Sequence, residues 1–169
     1  MKKFELTNEF ITNMFGTKLF RIRALVEFGD VEAGELGGYV EKESNLGHDD
    51  NAWVYDNAWV YGNARVYGDA QVSGDALVYG NARVYGNAWV YGNALVCSDE
   101  DYAYAHGFGS VNRTTTFFRL KDGGVGVRCG CFYGTLAQFR DKIRETHGET
   151  KKAQEYLMLA DLMKLRFEK

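Results

Sequence analysis

The chain has 169 residues, 46% of them apolar, which is enough to bury one main hydrophobic core with a small appendage. No apolar run is long enough to cross a membrane, and the polar start of the chain does not have the pattern of a signal peptide. Three cysteines, an odd number, favour a reducing cytoplasm over a disulfide framework. We therefore expect a cytoplasmic protein rather than a membrane or secreted one.

The net charge of −3 is unevenly distributed. Residues 1–102 carry 8 basic and 16 acidic side chains, whereas residues 103–169 carry 12 basic and 7 acidic ones. A basic end on an acidic body can attract an anionic partner, although solvated charge or packing between subunits is the simpler explanation for so mild an excess. The overall negative charge and the missing basic run argue against binding of a nucleic-acid polymer.

The N-terminal residues 1–37 predict a β-rich segment. Strand-like runs of apolar residues occur over residues 4–10 and 19–25, and glycine-containing turns are indicated at residues 28–30 and 34–38.

A regular spacing of aliphatic residues begins at Val40, which is followed six residues later by Leu46. The next aliphatic residue of the series, Val54, comes after eight residues instead of six. We therefore predict that Gly47-His48-Asp49-Asp50 contains a two-residue excursion, which places His48 beside two carboxylates.

Residues 51–98 repeat one six-residue phrase eight times, Ala-x-Val-Tyr-Gly-Asn in its most regular form. Side chains two apart in an extended chain point to the same side, so the Ala and Val of each phrase are predicted to face inward. The Gly, Asn and Asp residues that follow are typical of corners. Three such short strands around a triangle form one coil of a parallel solenoid, and residues 1–37 would cap the open edge of its first coil.

Residues 18 apart stack in columns on the outside of this prism. The first face carries Trp53, Gln71 and Trp89, with Tyr55, Ser73 and Tyr91 beside them; the second face carries Trp59, Leu77 and Leu95, with Tyr61, Tyr79 and Cys97; the third face carries Arg65 and Arg83, with Tyr67 and Tyr85. The second face is too apolar to be left in water, so we predict that it forms a seam between copies of the chain. The alternative is that a terminal segment of the same chain covers it.

The phrase resembles the hexapeptide repeat of left-handed parallel β-helices, in which an aliphatic residue is followed four positions later by a small one. The resemblance covers roughly residues 38–98 and departs from the pattern at the tyrosine that follows each valine. It implies the left hand of the helix, and it implies a homotrimer with the prisms packed side by side.

Over its whole length the chain resembles a group of bacteriophage and prophage proteins. They carry Gly-Gly-Tyr-Val-Glu-Lys-Glu, here residues 37–43, tyrosine-rich repeats, and Gly-Cys-Phe-x-Gly-Thr-Leu, here residues 130–136. Such proteins are often labelled acyltransferases or polymer-forming proteins because of their repeats. The resemblance implies a phage-type origin, and hence the cytoplasm of a bacterial host, but no reaction.

Residues 103–169 are predicted to form a ββαα module. Two strands, 114–121 and 125–132, flank an Asp-Gly-Gly hairpin turn. A capping-box spacing from Thr135 to Gln138 begins a helix that Gly148 ends. A second helix runs from about residue 150 to 167, and its predicted apolar stripe is Ala153, Tyr156, Leu157, Ala160, Met163 and Leu165. The fold class is thus mainly β: a cap at 1–37, a left-handed parallel β-helix at 38–102 and this module.

An acyltransferase of the hexapeptide type would use a histidine as general base with coenzyme A along the prism. The eight phrases contain no histidine, so only His48 and His106, which flank the solenoid, are candidates. A surface histidine beside an aspartate is common without catalysis. We therefore expect no enzyme and no cofactor, with the acyltransferase as an alternative.

The cysteines raise the possibility of a soft-metal site. Cys129 and Cys131, two apart on one predicted strand, could share a metal with His147 or Cys97. Structural zinc needs four ligands, and no second close pair is present, so we predict a buried cysteine pair and no metal.

Binding of an anionic ligand fits more of the sequence. Arginine beside aromatic rings suits planar anions, by stacking and by paired hydrogen bonds. The candidate residues are Arg65, Arg83, Tyr67 and Tyr85 on the third face and Arg113, Arg119 and Arg128 in the C-terminal module. For a phage-type protein, such binding could sequester a nucleotide signal of host defence, or the surface could occlude a host protein. Alternatively, the arginines and tyrosines only keep the solenoid soluble, or the protein is a structural spacer, for which a shaft of about 15 Å is short.

Overall fold

The computed structural model describes residues 1–109 and 111–168. It is a mainly β protein in which a three-coil parallel solenoid stands between an N-terminal antiparallel sheet and a C-terminal module with two helices. Within the described residues, no helix is both long and apolar enough to cross a membrane.

The N-terminal segment consists of three antiparallel strands, β1 (Phe4–Thr12), β2 (Lys18–Ala24) and β3 (Leu36–Val40). Strand β3 also pairs in parallel with the solenoid, since Tyr39 lies opposite Trp59 and Val40 opposite Val60. The segment therefore continues one face of the solenoid as well as closing its first coil.

The solenoid contains eight two-residue strands, one for each phrase. They are β4 (Trp53–Val54), β5 (Trp59–Val60), β6 (Arg65–Val66), β7 (Gln71–Val72), β8 (Leu77–Val78), β9 (Arg83–Val84), β10 (Trp89–Val90) and β11 (Leu95–Val96). They stack as three parallel sheets, with β4, β7 and β10 on the first face, β3, β5, β8 and β11 on the second, and β6 and β9 on the third.

The inward-facing residues of the phrases form the core, as predicted. All eight alanines and all eight valines are at most 1% exposed. The backbone hydrogen bonds run from coil to coil, for example from the Trp59 amide to the Ala76 carbonyl at 2.9 Å. Each coil thus supplies the hydrogen-bond partners of the next.

The two-residue excursion after Leu46 is also present. Leu46 pairs with Val66, which lies 20 residues further along the chain, whereas all later pairs on that face and its neighbours are 18 apart. Leu46 itself is 2% exposed, so the extra residues leave the core position filled. A short 3₁₀ turn at Glu43–Asn45 precedes it.

The cap packs on the first face of the solenoid. The Trp53 ring lies edge-on to Phe4, with centroids 6.2 Å apart, and edge-on to Phe28 at 5.3 Å. Phe4 and Trp53 are both fully buried. The outer aromatic residue of the first phrase is therefore part of the core that joins the cap to the shaft.

The C-terminal module begins after a 3₁₀ turn at Asp99–Asp101 and contains four antiparallel strands followed by two helices. Its elements are β12 (Tyr102–Phe108), β13 (Arg113–Arg119), β14 (Val125–Cys129), β15 (Phe132–Thr135), α1 (Leu136–His147) and α2 (Lys151–Phe167). As predicted, Thr135 and Gln138 form a capping box at the start of α1, and Gly148 follows its last residue.

Three details of this module differ from the sequence prediction. The predicted return strand 125–132 is two strands, because Gly130 adopts a φ of +57° and turns the chain back on itself. Residues 102–108 add a strand that was not predicted. On α2, Leu165 is 69% exposed and Phe167 is buried instead, because Tyr156, Ala160, Met163 and Phe167 share one side of a helix.

Strand β13 joins the module to the shaft. Phe118 belongs to the solenoid core, whereas the next residue towards the N-terminus, Phe117, belongs to the core of the two helices. Successive side chains of a strand point to opposite faces, so one strand closes the last coil and supports the helices. Leu120 also bridges to Ala94, and the Lys121 amide donates to the Asn93 carbonyl.

The corners of the solenoid yield a stability prediction. Gly74 has a φ of +69°, and a Cβ atom placed there would lie 2.8 Å from the Gly92 amide nitrogen of the next coil. Gly123, in the β13–β14 hairpin, has a φ of +89° and no heavy atom within 4 Å of such a Cβ. We expect Gly74→Ala to lower the free energy of unfolding more than Gly123→Ala does. The backbone penalty of about 1–3 kcal/mol is common to both, and only Gly74 adds a clash.

Urea unfolding followed by circular dichroism measures the difference. Equal losses of stability in the two variants would contradict the close approach of neighbouring corners.

Candidate functional site

His48 holds the N-terminal strand in place. Its ring stacks on Phe4 with centroids 4.3 Å apart, and its Nδ1 accepts a hydrogen bond of 3.2 Å from the Lys3 amide. Its Nε2 lies 3.8 Å from a carboxylate oxygen of Glu43. The neighbours Asp49 and Asp50 were expected to orient this ring, but the Asp50 carboxylate accepts from the Gly68 amide instead.

The Lys3 side chain lies next to this ring in the same junction. It is 3% exposed, and its ammonium donates to the carbonyls of Asp50 and Ala52 at 2.7 and 2.8 Å. Burial lowers the pKa of Lys3 from its ordinary value of 10.5 to about 8, although the charges of Asp50 and Asp49 oppose this shift. The residues around His48 thus bind the cap to the first coil.

His106 lies at the other end of the molecule, on β12. Its Nδ1 is 2.7 Å from the hydroxyl oxygen of Thr114 on the neighbouring strand, and the side chain is exposed. The structure therefore places the two candidate bases apart, one at the first coil beside the cap and one in the C-terminal module.

The third face brings together four of the predicted ligand-binding residues. Arg65 and Arg83 are paired on adjacent strands, and the rings of Tyr67 and Tyr85 stack with centroids 5.4 Å apart. Arg65 lies over Tyr67 at 5.9 Å.

The charge of this face is compensated by nearby carboxylates. Asp99 accepts hydrogen bonds from the Arg83 guanidinium at 2.5 and 2.9 Å and from the Arg83 amide at 2.7 Å. The hydrogen bond and the charge of Asp99 raise the pKa of Arg83 above its ordinary value. Asp49 and Asp50 lie beside Arg65 and Arg83 in the shallow groove of this face. Arg83 is thus paired with a carboxylate of its own chain, and Arg65 shares the groove with two.

Two of the predicted arginines support the junction between shaft and module. Arg119 donates to Asp101 at 3.1 Å and lies over the Phe167 ring at 5.3 Å. Arg128 lies 4.0 Å from the centroid of Trp89 and 4.6 Å from that of Tyr91. Both guanidinium groups are thus in contact with groups of their own chain. Both also lie away from the arginines of the third face.

Arg113, the seventh predicted residue, lies in a cleft of about 210 Å³ between the sheet and the helices of the C-terminal module. Its guanidinium lies over Gly130, where any Cβ atom would collide with it. Lys142 and His147 of α1 lie along the same cleft. The described residues that line it include no Asp or Glu.

The wall of this cleft is aromatic. Phe132, Phe139 and Tyr156 line it, and the Phe139 ring lies 5.7 Å from each of the other two. Phe139 and Tyr156 are at most 4% exposed as whole residues, so they belong to the core of the module. A rigid apolar wall with basic groups at its edge is the pattern of a small-molecule site.

Sequence reasoning found Arg113 but missed the residues around it. Lys142 and His147 come from α1 and Tyr156 from α2, and only the packing of the helices on the sheet brings them to Arg113. Two signals in the sequence pointed here: the +5 charge of residues 103–169, and the grouping of Cys129, Cys131 and His147, which was considered only as a metal site.

The prediction of a buried cysteine pair on one strand is wrong, because the Gly130 turn separates Cys129, which is half-buried at the end of β14, from Cys131, which is exposed. Both cysteines line this cleft. The Cys129 sulfur accepts a hydrogen bond of 3.2 Å from the Thr115 hydroxyl. Cys97 lies on the second face, where its thiol donates to Asp101. Among the residues that the structure describes, no group of three or more His, Cys, Asp or Glu side chains is arranged to hold a metal ion.

The predicted seam residues Trp59, Leu77 and Leu95 lie in one column on β5, β8 and β11. All three are half-buried in the single chain, and beside them Tyr61 stacks on Tyr79 at 5.2 Å. The second face is thus a continuous apolar column, as the spacing of the repeat predicts.

The repeats are similar to a known family of solenoid units. The family model of the YdcK beta solenoid repeat matches residues 58–74, 70–86, 76–92 and 82–98. Each match covers about one coil of the solenoid described above. No curated protein is significantly similar to the chain.

The buried Lys3 gives a prediction about pH. Its pKa is about 8 in the folded protein and 10.5 ordinarily, so between these values the unfolded chain binds more protons. The contribution of Lys3 to the free energy of unfolding therefore rises between pH 8 and pH 10.5. This contribution is fully present above pH 10.5 and is lost as the pH falls through 8.

Lys3→Met removes this titration. We expect the stability difference, wild type minus Lys3→Met, to increase between pH 8 and pH 10.5 in urea unfolding experiments. Taking this difference cancels the contribution of the tyrosines, which titrate in the same pH range and are present in both proteins. A difference that is independent of pH would contradict the buried ammonium.

Proposed function

We propose that this protein binds a small anionic ligand without transforming it, and that the ligand occupies the cleft of the C-terminal module. The observation that carries the proposal is the distribution of carboxylates around the arginines. On the third face, Asp99, Asp49 and Asp50 lie beside Arg65 and Arg83. In the cleft, no described lining residue is acidic, so no carboxylate of the cleft competes with an added anion for Arg113.

The cleft also meets the other requirements of a binding site. Its cations, the exposed Arg113 and Lys142, stand at the edge of an apolar aromatic wall, so a ligand with an anionic group and an apolar part could contact both. Lys142 forms an exposed pair with Glu145 at 3.3 Å, but such pairs contribute little and exchange easily. Within residues 1–109 and 111–168, Arg113 forms no ion pair.

Catalysis of the acyltransferase type is the weaker proposal. A general base needs a ring nitrogen that can reach the substrate. The His48 ring is stacked on Phe4 and its Nδ1 is occupied by the Lys3 amide, so the role that its contacts support is structural. His106 does not line the cleft. His147 does, but it is the last residue of α1 and lies away from the solenoid, where an acyltransferase of this type would bind coenzyme A.

The biological setting is proposed from the sequence resemblance. We propose a homotrimer formed through the second face, in the cytoplasm of a bacterium that carries a phage or prophage. There the protein would sequester a small anionic signal of host defence. Occlusion of a host protein is an alternative use of the same basic module.

The ligand site predicts a selective effect of mutation. We expect Arg113→Ala to weaken binding of anions by about 10- to 100-fold, since a charge-assisted hydrogen bond contributes about 1.5–3 kcal/mol. Arg65→Ala, on the third face, is the matched control and should leave the affinity unchanged. Isothermal titration calorimetry with linear nucleotides, cyclic nucleotides and small organic acids measures both.

The outcomes separate the candidate surfaces. Loss of binding in Arg65→Ala but not in Arg113→Ala would place the ligand on the third face instead of in the cleft. Absence of binding heat with every anion would remove the proposed function.

The trimer can be tested independently by native mass spectrometry. We expect three chains for the wild type and one for Leu77→Arg, because a charge in the middle of an apolar seam is costly to bury. Arg65→Glu changes the charge outside the second face and should remain trimeric. A monomeric wild type would contradict the seam.

A further inference from the structure

The volume of the cleft limits the size of its ligand. The cleft, at about 210 Å³, is smaller than the sites of drug-sized ligands, which measure about 300–1,000 Å³. It fits one ring that bears a single anionic group, whereas a base, a sugar and a phosphate together would extend beyond it into solvent.

The shape of the wall favours a flat ligand. Phe139 lies edge-on to Tyr156, with an interplanar angle of 80°, and tilted by 44° to Phe132. Phe117 packs edge-on behind Phe139 at 5.9 Å, which ties the wall to the core of the module. An aromatic ligand can add one more ring to this cluster, since aromatic rings favour edge-to-face and offset-stacked pairs.

The position of Arg113 favours a carboxylate. Arginine binds a carboxylate through two parallel hydrogen bonds, which needs a guanidinium with a defined orientation. The Arg113 guanidinium occupies the space that a side chain at position 130 would fill, so the glycine leaves room for it beside the turn. Lys142 adds a second positive charge on the facing helix, so the anionic group would meet both.

The polar groups inside the cleft are hydrogen-bond donors or weakly polar. Burial, followed by the charge of Cys129 and its hydrogen bond, raises the pKa of Tyr156 to about 12, so its hydroxyl keeps its proton at neutral pH. That hydroxyl lies 3.8 Å from the Cys129 sulfur. The protonated Tyr156 hydroxyl therefore does not repel an anion.

From these four features we propose that the cleft selects a small planar monoanion, an aromatic carboxylate, over nucleotides. The carboxylate pairs with Arg113 and Lys142, and the ring packs against Phe132, Phe139 and Tyr156. This inference rests on the proposed function, since it names the class of ligand that the same cleft would bind.

The two cysteines of the cleft provide a direct readout. Cys129, which is half-buried, and Cys131, which is exposed, line it, whereas the equally exposed Cys97 lies on the second face of the solenoid. A bound ligand should slow alkylation of the first two thiols and leave Cys97 unchanged, so every sample contains its own reference. Alkylation by iodoacetamide is followed for each cysteine by peptide mass spectrometry of the intact, folded protein.

The probes separate charge, ring and size. With benzoate at ~10 times its Kd, we expect alkylation of Cys131 to slow by about tenfold, because only the protein whose cleft is unoccupied remains accessible to the reagent. Benzamide has the same ring without the charge, acetate has the charge without the ring, and adenosine monophosphate exceeds the volume. At the same concentration we expect each of these three to protect at least several-fold less.

Variants test the assignment of residues. Arg113→Gln should abolish protection by benzoate, whereas Arg65→Gln should retain it. Equal protection by benzamide, or full protection in Arg113→Gln, would overturn the role given to the charge.

The failure of this inference can be distinguished from failure of the proposed function. Binding of nucleotides without protection by benzoate would leave an anion-binding protein and overturn the ligand class. If neither benzoate nor any nucleotide binds, both the inference and the proposed function are wrong.

Discussion

Stacking of parallel coils gives the backbone N–H and C=O groups of each coil their hydrogen-bond partners. At the two ends of the stack, unpaired strand edges remain. The shaft is only three coils long, so its ends are a large part of it. At the first coil the edge is paired by β3, and the ring of Trp53 is covered by Phe4 and Phe28. At the last coil, β13 lies across the core and Phe118 fills it. Cap and module are thus requirements of the solenoid rather than additions to it.

The regular parts of this fold are predictable because they depend on spacing alone. A six-residue period fixes which residues face inward, and the eight-residue gap before Val54 locates the excursion. The capping box at Thr135 is equally local. Strand β15 was missed because it depends on one backbone conformation, the positive φ of Gly130, inside a run that has the composition of a single strand.

The candidate site was only partly predictable for a different reason. Seven arginines and tyrosines were chosen by residue type, but the charge available to a ligand depends on partners that are distant in the sequence. Asp99 compensates Arg83 from 16 residues away, and Phe167 covers Arg119 from 48 residues away. Conversely, Arg113 gains Lys142 and His147 only when α1 packs on the sheet. Pairing and packing of this kind are not encoded in a local pattern.

The alternation along β13 has a thermodynamic consequence for the whole molecule. Phe117 and Phe118 are neighbours in the chain, both fully buried, yet they belong to different cores. Loosening the helices would therefore disturb the strand that closes the shaft, and unwinding the last coil would disturb the sheet beneath the helices. Shaft and module are then one cooperative unit of unfolding. A molecule bound between the helices and this sheet would slow amide hydrogen exchange in the last coil, although it contacts no residue there.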